Sequence, residues 1–156
     1  MAGRSNIEQE LQALLDREAI RELPVLYCHY VWKNDVAGIV GLFSEDGVFD
    51  APGLGRVTGR AQLQAAYERA LKGLAPKPFI HNHVVTLEGS DRATGNCYVE
   101  LRALNQPEAG TITGYYDDVY VKENGQWRFR ERKATLLSEA LNQSLASAAG
   151  GRAQGS

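Results

Sequence analysis

The chain is poor in cysteine. Only Cys28 and Cys97 occur in 156 residues, and no CxxC pair is present. Neither a disulfide framework nor a cysteine-built metal site can therefore organise the fold, and both residues read as reduced core thiols. Long apolar runs are also missing, since none approaches the roughly 18 residues that a membrane span needs. The opening MAGRSNIEQE lacks the apolar stretch of a signal peptide, so a cytoplasmic location is expected. Excess charge is absent as well. The net charge is −2 with Lys and Arg spread along the chain, which leaves no basic stripe for nucleic acid. No P-loop or GxGxxG occurs, and no nucleotide is expected. His81 and His83 form an i, i+2 pair without an obvious third ligand at matching spacing, so the expectation is no metal and no cofactor.

What remains is an ordinary globular composition, with 44% apolar and 23% charged residues. At this length it buries one core. A single domain over residues 1–140 is expected, followed by a small, Gly-rich polar tail at 141–156 that reads as disordered.

The N-terminal third is helical in pattern. Ser5 and Glu8 have capping-box spacing. Ile7, Leu11, Leu14, Leu15, Ile20, Leu23, Leu26, Tyr27, Tyr30 and Val31 make an approximate helical stripe, which Pro24 should kink or break. Asn34 is a candidate cap for a short helix carrying Val36, Ile39, Val40 and Phe43. GVFDAP reads as a strand that ends at a Pro-Gly turn, and residues 59–71 as a third helix. Residues 79–87, 93–104, 111–121 and 127–136 are strand-like, separated by the turn sequences EGSD, NQPEAG and KENGQ. Three helices followed by a run of strands predicts an α+β fold, a curved antiparallel sheet with helices on its concave face. A cavity between the two layers would hold a small apolar molecule.

The ordered series DREAIREL, Tyr27, NDVAGIVGLFSEDGVFDAPG, TGRAQLQAAY, HNHVV and GYYDDVYVKENGQWRFRER resembles the SnoaL-like group of the nuclear transport factor 2-like superfamily, over about Asp16 to Leu136. The resemblance implies a cone-shaped, cystatin-like roll. It also implies either cofactor-independent acid–base chemistry, as in scytalone dehydratase, ketosteroid isomerase or bile-acid dehydratase, or no chemistry, because the superfamily contains binding and structural members too.

In that register the Asp of the dehydratases' Asp–His dyad falls on Trp32, and the His falls on Pro78. Neither can act as an acid or a base. Against ketosteroid isomerase, the catalytic Tyr falls on Tyr27 and the base on Ala51, with Asp50 beside it. The protonated Asp falls on Asp118 or Asp117. Tyr27 is thus a candidate donor to a substrate oxygen, or else plain core. Asp118 is a pocket acid, or else the ion-pair partner of Arg132 or Arg130. His81 and His83 share one strand face and Asn82 the other. The resemblance gives the pocket face to Asn82, which turns both His outward unless the strand is bulged. His81 is the candidate replacement base. Tyr30, Trp32, Phe49 and Tyr116 would form an aromatic wall for a flat apolar ligand, with Asn82 and Arg132 completing it.

The leading expectation is a lyase or isomerase acting on a small, apolar, oxygen-bearing molecule. A ligand-binding or accessory domain, or a structural subunit such as a dioxygenase β subunit, is the alternative. A homodimer or homotrimer is expected, because the outer sheet face carries Tyr98, Tyr115 and Val119 by alternation.

Overall fold

A computed structural model describes residues 2–73, 76–104, 108 and 110–137. The expected tail lies outside the described residues. The elements are α1 (Ala2–Lys33), α2 (Val36–Gly41), β1 (Phe43–Ala51), β2 (Gly55–Thr58), α3 (Arg60–Ala70), β3 (Lys77–Leu87), β4 (Arg92–Arg102), β5 (Thr111–Glu123) and β6 (Gln126–Leu136). The strands form one sheet in the order β2-β1-β6-β5-β4-β3. The fold is α+β, with the helices on one face of that sheet.

The sheet is mixed. Four neighbour pairs are antiparallel, but β1 runs parallel to β6, pairing Phe43 with Phe129 and Phe49 with Arg132. A parallel neighbour needs a long crossover, and here nearly half of the chain, residues 52–125, lies between the two strands. β2 was not anticipated. Its four residues, GRVT, pair with the end of β1 after the Pro52-Gly53 turn.

α1 passes through Pro24 without a break. Pro24 lacks the N–H that would bond the fourth residue back. Tertiary packing holds the helix regardless, because Ile20, Leu23, Tyr27 and Val31 are buried on either side of it. The helix also starts before Ser5, so the capping box does not mark its first residue. The single stripe read from the sequence divides in two. Ile20, Leu23, Tyr27 and Val31 are in the core, whereas Ile7, Leu11, Leu14 and Leu15 are exposed. At about 100° per residue, Ile7 stands roughly 200° from Tyr27 around the helix, on the opposite side.

Asp35, not Asn34, caps α2. Its carboxylate accepts from the Gly38 N–H at 2.8 Å. Asn34 instead takes a left-handed backbone, φ 54°, as the residue that ends α1.

Asp16 locks α1 to the far end of the sheet. It is buried, and one carboxylate oxygen accepts from Lys122 Nζ and from Trp127 Nε1, both at 2.8 Å. Burial pushes its pKa up, but the bonds from Lys122, Trp127 and Gln12 outweigh that and hold it below the usual carboxylate value. Asp16→Ala strands the buried indole N–H. A loss of about 1–3 kcal/mol in unfolding free energy is expected by urea denaturation; an unchanged midpoint would show that the lock carries no stability.

Candidate active site on the inner sheet face

The site begins with a bulge in β3. Ile80 pairs with Val99 and His83 with Cys97, so three steps along β3 match two along β4. One extra residue resets the alternation. Ile80 and His83 both face the helices, while His81 turns outward. His81 is 48% exposed and lies 3.8 Å from Glu100. The two His therefore do not share a face, and Asn82 is exposed rather than set in the inner face.

His83 opens a chain of hydrogen bonds. Its Nε2 lies 2.9 Å from the Tyr120 hydroxyl, which donates to Asp118 Oδ2 at 2.9 Å. Asp118 accepts twice from Arg132, Nε to Oδ1 and Nη2 to Oδ2, both at 2.8 Å. Asp118, Tyr120 and Arg132 are fully or almost fully buried. Strand register explains the assembly. Asp118 stands opposite Arg132 on β6 and Gly95 on β4, and a side chain at 95 would crowd the relay. A Cβ there would lie 2.6 Å from the Val84 carbonyl oxygen and 3.3 Å from His83 Nε2.

The direction of the bonds fixes the histidine. A carboxylate paired with Arg only accepts, so the Tyr120 proton goes to Asp118 and the Tyr120 oxygen accepts from His83. His83 then carries its proton on Nε2 and a lone pair on Nδ1. Nδ1 is buried and has no partner. Burial pushes the pKa of His83 below 6.5. Asp118 works against that, while Arg132 and Arg21 add to it. The imidazole is neutral at pH 7.

Around this relay stands a wall of rings. The Arg132 guanidinium lies 4.0 Å from the ring centre of Tyr116, 4.2 Å from Phe129 and 4.6 Å from Tyr27. Burial works against its charge, but Asp118 more than offsets this and keeps it protonated. Its Nη1 has no partner. Tyr27 and Tyr67 share a hydroxyl–hydroxyl bond of 2.9 Å, and Phe49 stacks on Tyr67 at 5.5 Å. Burial raises the pKa of Tyr27 well above its ordinary value.

The structure thus brings together Tyr27, Phe49, Tyr116, Asp118 and Arg132. Tyr27 and Asp118 lie on the same side of the sheet with Arg132 between them. Tyr30 is partly buried at the edge of this core. His81, Asn82 and Trp32 are exposed. The sequence reading did not select His83, Tyr67 or Tyr120 for the site. Only the bulge reveals the first. Tyr67 falls at core spacing on α3 and Tyr120 alternates with Asp118 along β5, so neither position by itself signals a site.

The model of the SnoaL-like domain matches residues 12–133. The chain belongs to the SnoaL-like family. Among curated proteins none matches it. Among solved structures, it is similar to a nuclear transport factor 2-like protein with a cystatin-like fold from Novosphingobium aromaticivorans. Identity is 26% over 90% of this chain and 95% of that one, with a TM-score of 0.73. A Mycobacterium tuberculosis protein of unknown function is 24% identical over 90% of this chain and 91% of that one, TM-score 0.72. A type 3 hexachlorocyclohexane dehydrochlorinase from Novosphingobium barchaimii is 17% identical over 83% and 91%, TM-score 0.71, a likeness of fold alone.

In this SnoaL-like chain Trp32 of α1 and Pro78 of β3 are in contact. Trp32 Nε1 donates to the Pro78 carbonyl at 2.8 Å, and Trp32 stands edge-on to Phe79 at 5.3 Å. Cys28 Sγ donates to the same carbonyl at 3.0 Å.

Proposed function

We propose that this SnoaL-like protein is a small-molecule lyase or isomerase in which His83 is the general base. One observation carries the reading. His83 Nδ1 holds a free lone pair in a buried site, with its tautomer set by Tyr120 and Asp118. A neutral imidazole with a pKa below 6.5 can take a proton from carbon next to a carbonyl. The positive charge that results is spread toward Asp118 through Tyr120. The developing oxyanion needs a donor, and two groups offer one. They are the unpartnered Nη1 of Arg132 and the paired hydroxyls of Tyr27 and Tyr67. Return of the proton to another carbon is an isomerisation; loss of a leaving group from the neighbouring carbon is an elimination. The aromatic wall suits a flat, mostly apolar substrate bearing one oxygen, and the scheme calls on no cofactor. His83 takes the role first given to His81.

The test is proton exchange rather than a guessed turnover. Cyclic and bicyclic ketones are incubated with the protein in deuterated buffer, and loss of the α-proton signal is followed by NMR. Catalysed exchange with at least one flat apolar ketone is expected. Exchange no faster than buffer across the panel, with ketone binding still visible by line broadening, would favour the ligand-binding alternative. That alternative draws support from two points: Asp118 and Arg132 neutralise each other, and the family resemblance gives the dyad positions to Trp32 and Pro78, neither of which titrates.

A further inference from the structure

The groups of the site stand in a fixed order across the sheet. Phe49 is on β1, Arg132 on the neighbouring β6, Asp118 and Tyr120 on β5, and His83 on β3, the last strand. Contacts follow the same order. Phe49 stacks on Tyr67 of α3, and both rings lie against Tyr27, with 6.4 and 6.2 Å between ring centres. The Tyr27 ring in turn faces the Arg132 guanidinium at 4.6 Å. From Arg132 the hydrogen bonds pass through Asp118 and Tyr120 to His83. Rings therefore occupy one end. The unpartnered Nη1 of Arg132 and the tyrosine hydroxyls stand in the middle, and the free Nδ1 of His83 is at the other end.

Exposure runs in the same direction. Phe49 is 6% and Tyr67 4% exposed, whereas His83 is half-buried on an edge strand. A ligand that enters past β3 brings its leading end to rest among the rings and leaves its trailing end beside His83. Beyond the Tyr27–Tyr67 hydroxyl pair, Phe49 offers no polar atom. An oxygen carried to that end would lose its water without gaining a partner, while an aromatic ring gains ring contacts. Proton removal adds one more condition. The acidic carbon must reach Nδ1 while the oxygen on the neighbouring carbon reaches a donor.

We infer that, with His83 as the base proposed above, the substrate is an aryl ketone in which the carbonyl carbon stands between the ring and the carbon that loses its proton; the order rests on that reading. Nδ1 takes the proton, the C–H electron pair becomes the carbon–carbon double bond of the enolate, and the negative charge goes to the oxygen. A ketone whose acidic carbon lies between ring and carbonyl would bring its oxygen to the base and its C–H to the donors.

Two isomeric ketones separate these orders. In propiophenone the carbonyl lies between the ring and the only enolisable carbon. Phenylacetone has a benzylic CH₂ between ring and carbonyl, and a methyl beyond the carbonyl. Buffer alone exchanges the benzylic position faster, because the ring also stabilises its carbanion. Each ketone is incubated with the full chain in deuterated buffer, and the rate at every α-position is divided by the rate in buffer alone. Acceleration of about 10²-fold or more is expected at the CH₂ of propiophenone. Within phenylacetone the benzylic CH₂ should gain at least about tenfold less than the methyl, because only the methyl is carried to the base. The protein thus favours the position that buffer disfavours. Greater acceleration at the benzylic carbon than at the methyl would overturn the order and leave His83 as the base. Exchange of cyclohexanone with none of propiophenone would overturn it as well. No exchange with any ketone, or exchange that survives His83→Gln, removes the base and the order together.

Discussion

Asp118→Asn is expected to cost about 3–5 kcal/mol of unfolding free energy, the usual penalty for breaking a buried ion pair from one side. The guanidinium of Arg132 is fully buried, and Asp118 is its only charged partner among the described residues. The three rings around it soften the isolation but supply no lone pairs to its N–H groups. Arg132 cannot escape by deprotonating, as a buried lysine would, because its pKa is too high. Its other route is to swing out toward water, and that opens the core between Tyr27, Tyr116 and Phe129. The expectation separates the pair from its parts. Asp118→Leu combined with Arg132→Met removes both charges and fills the space, so most of the loss should be recovered. Urea denaturation of the three variants beside the wild type measures this. A single variant that loses less than about 1 kcal/mol, or a double variant no better than the single, would mean that Asp118 does not hold the guanidinium in place.

The elements and the layer order were legible because they rest on periodicity and turn chemistry, which are local. Leu63, Ala66 and Tyr67 repeat at helical spacing, and all three are buried on α3. Tyr116, Asp118 and Tyr120 alternate along β5, and all three are buried on one face. The site was less legible because it depends on one inserted residue. IHNHV alternates cleanly, and nothing in it announces a bulge. Yet the bulge decides which histidine enters the core, since a single extra residue reverses every side chain beyond it. The α1 stripe failed for a related reason. Apolar residues recur at helical spacing along its whole length, but the first group and the second belong to opposite sides. Deciding which side meets the sheet requires the sheet.

His83→Gln should lower α-proton exchange by about 10²–10⁴-fold, the range a positioned general base supplies. Glutamine still donates to the Tyr120 oxygen through its amide, so the relay and the packing survive while the basic nitrogen is lost. The wild-type pH profile follows from the shift of His83. Its pKa in the fold lies below 6.5, so the neutral, active form fills as pH rises through that lowered value, and the rate is flat at neutrality and above. Stability has a matching dependence with a definite sign. Between the lowered pKa and 6.5 the unfolded chain binds the proton more readily than the folded one, so stability falls as pH drops through that window and levels off below it. His83→Gln should remove this slope, whatever its effect on the stability at pH 7. Tyr120→Phe offers the complementary reading. It strips Nε2 of its acceptor, frees the tautomer and cuts the link to Asp118, so its rate loss should be smaller than that of His83→Gln and accompanied by a moved pH midpoint. Should exchange proceed at the wild-type rate in His83→Gln, or should its pH midpoint stay where the wild type has it, the base is another group and His83 is a packing residue.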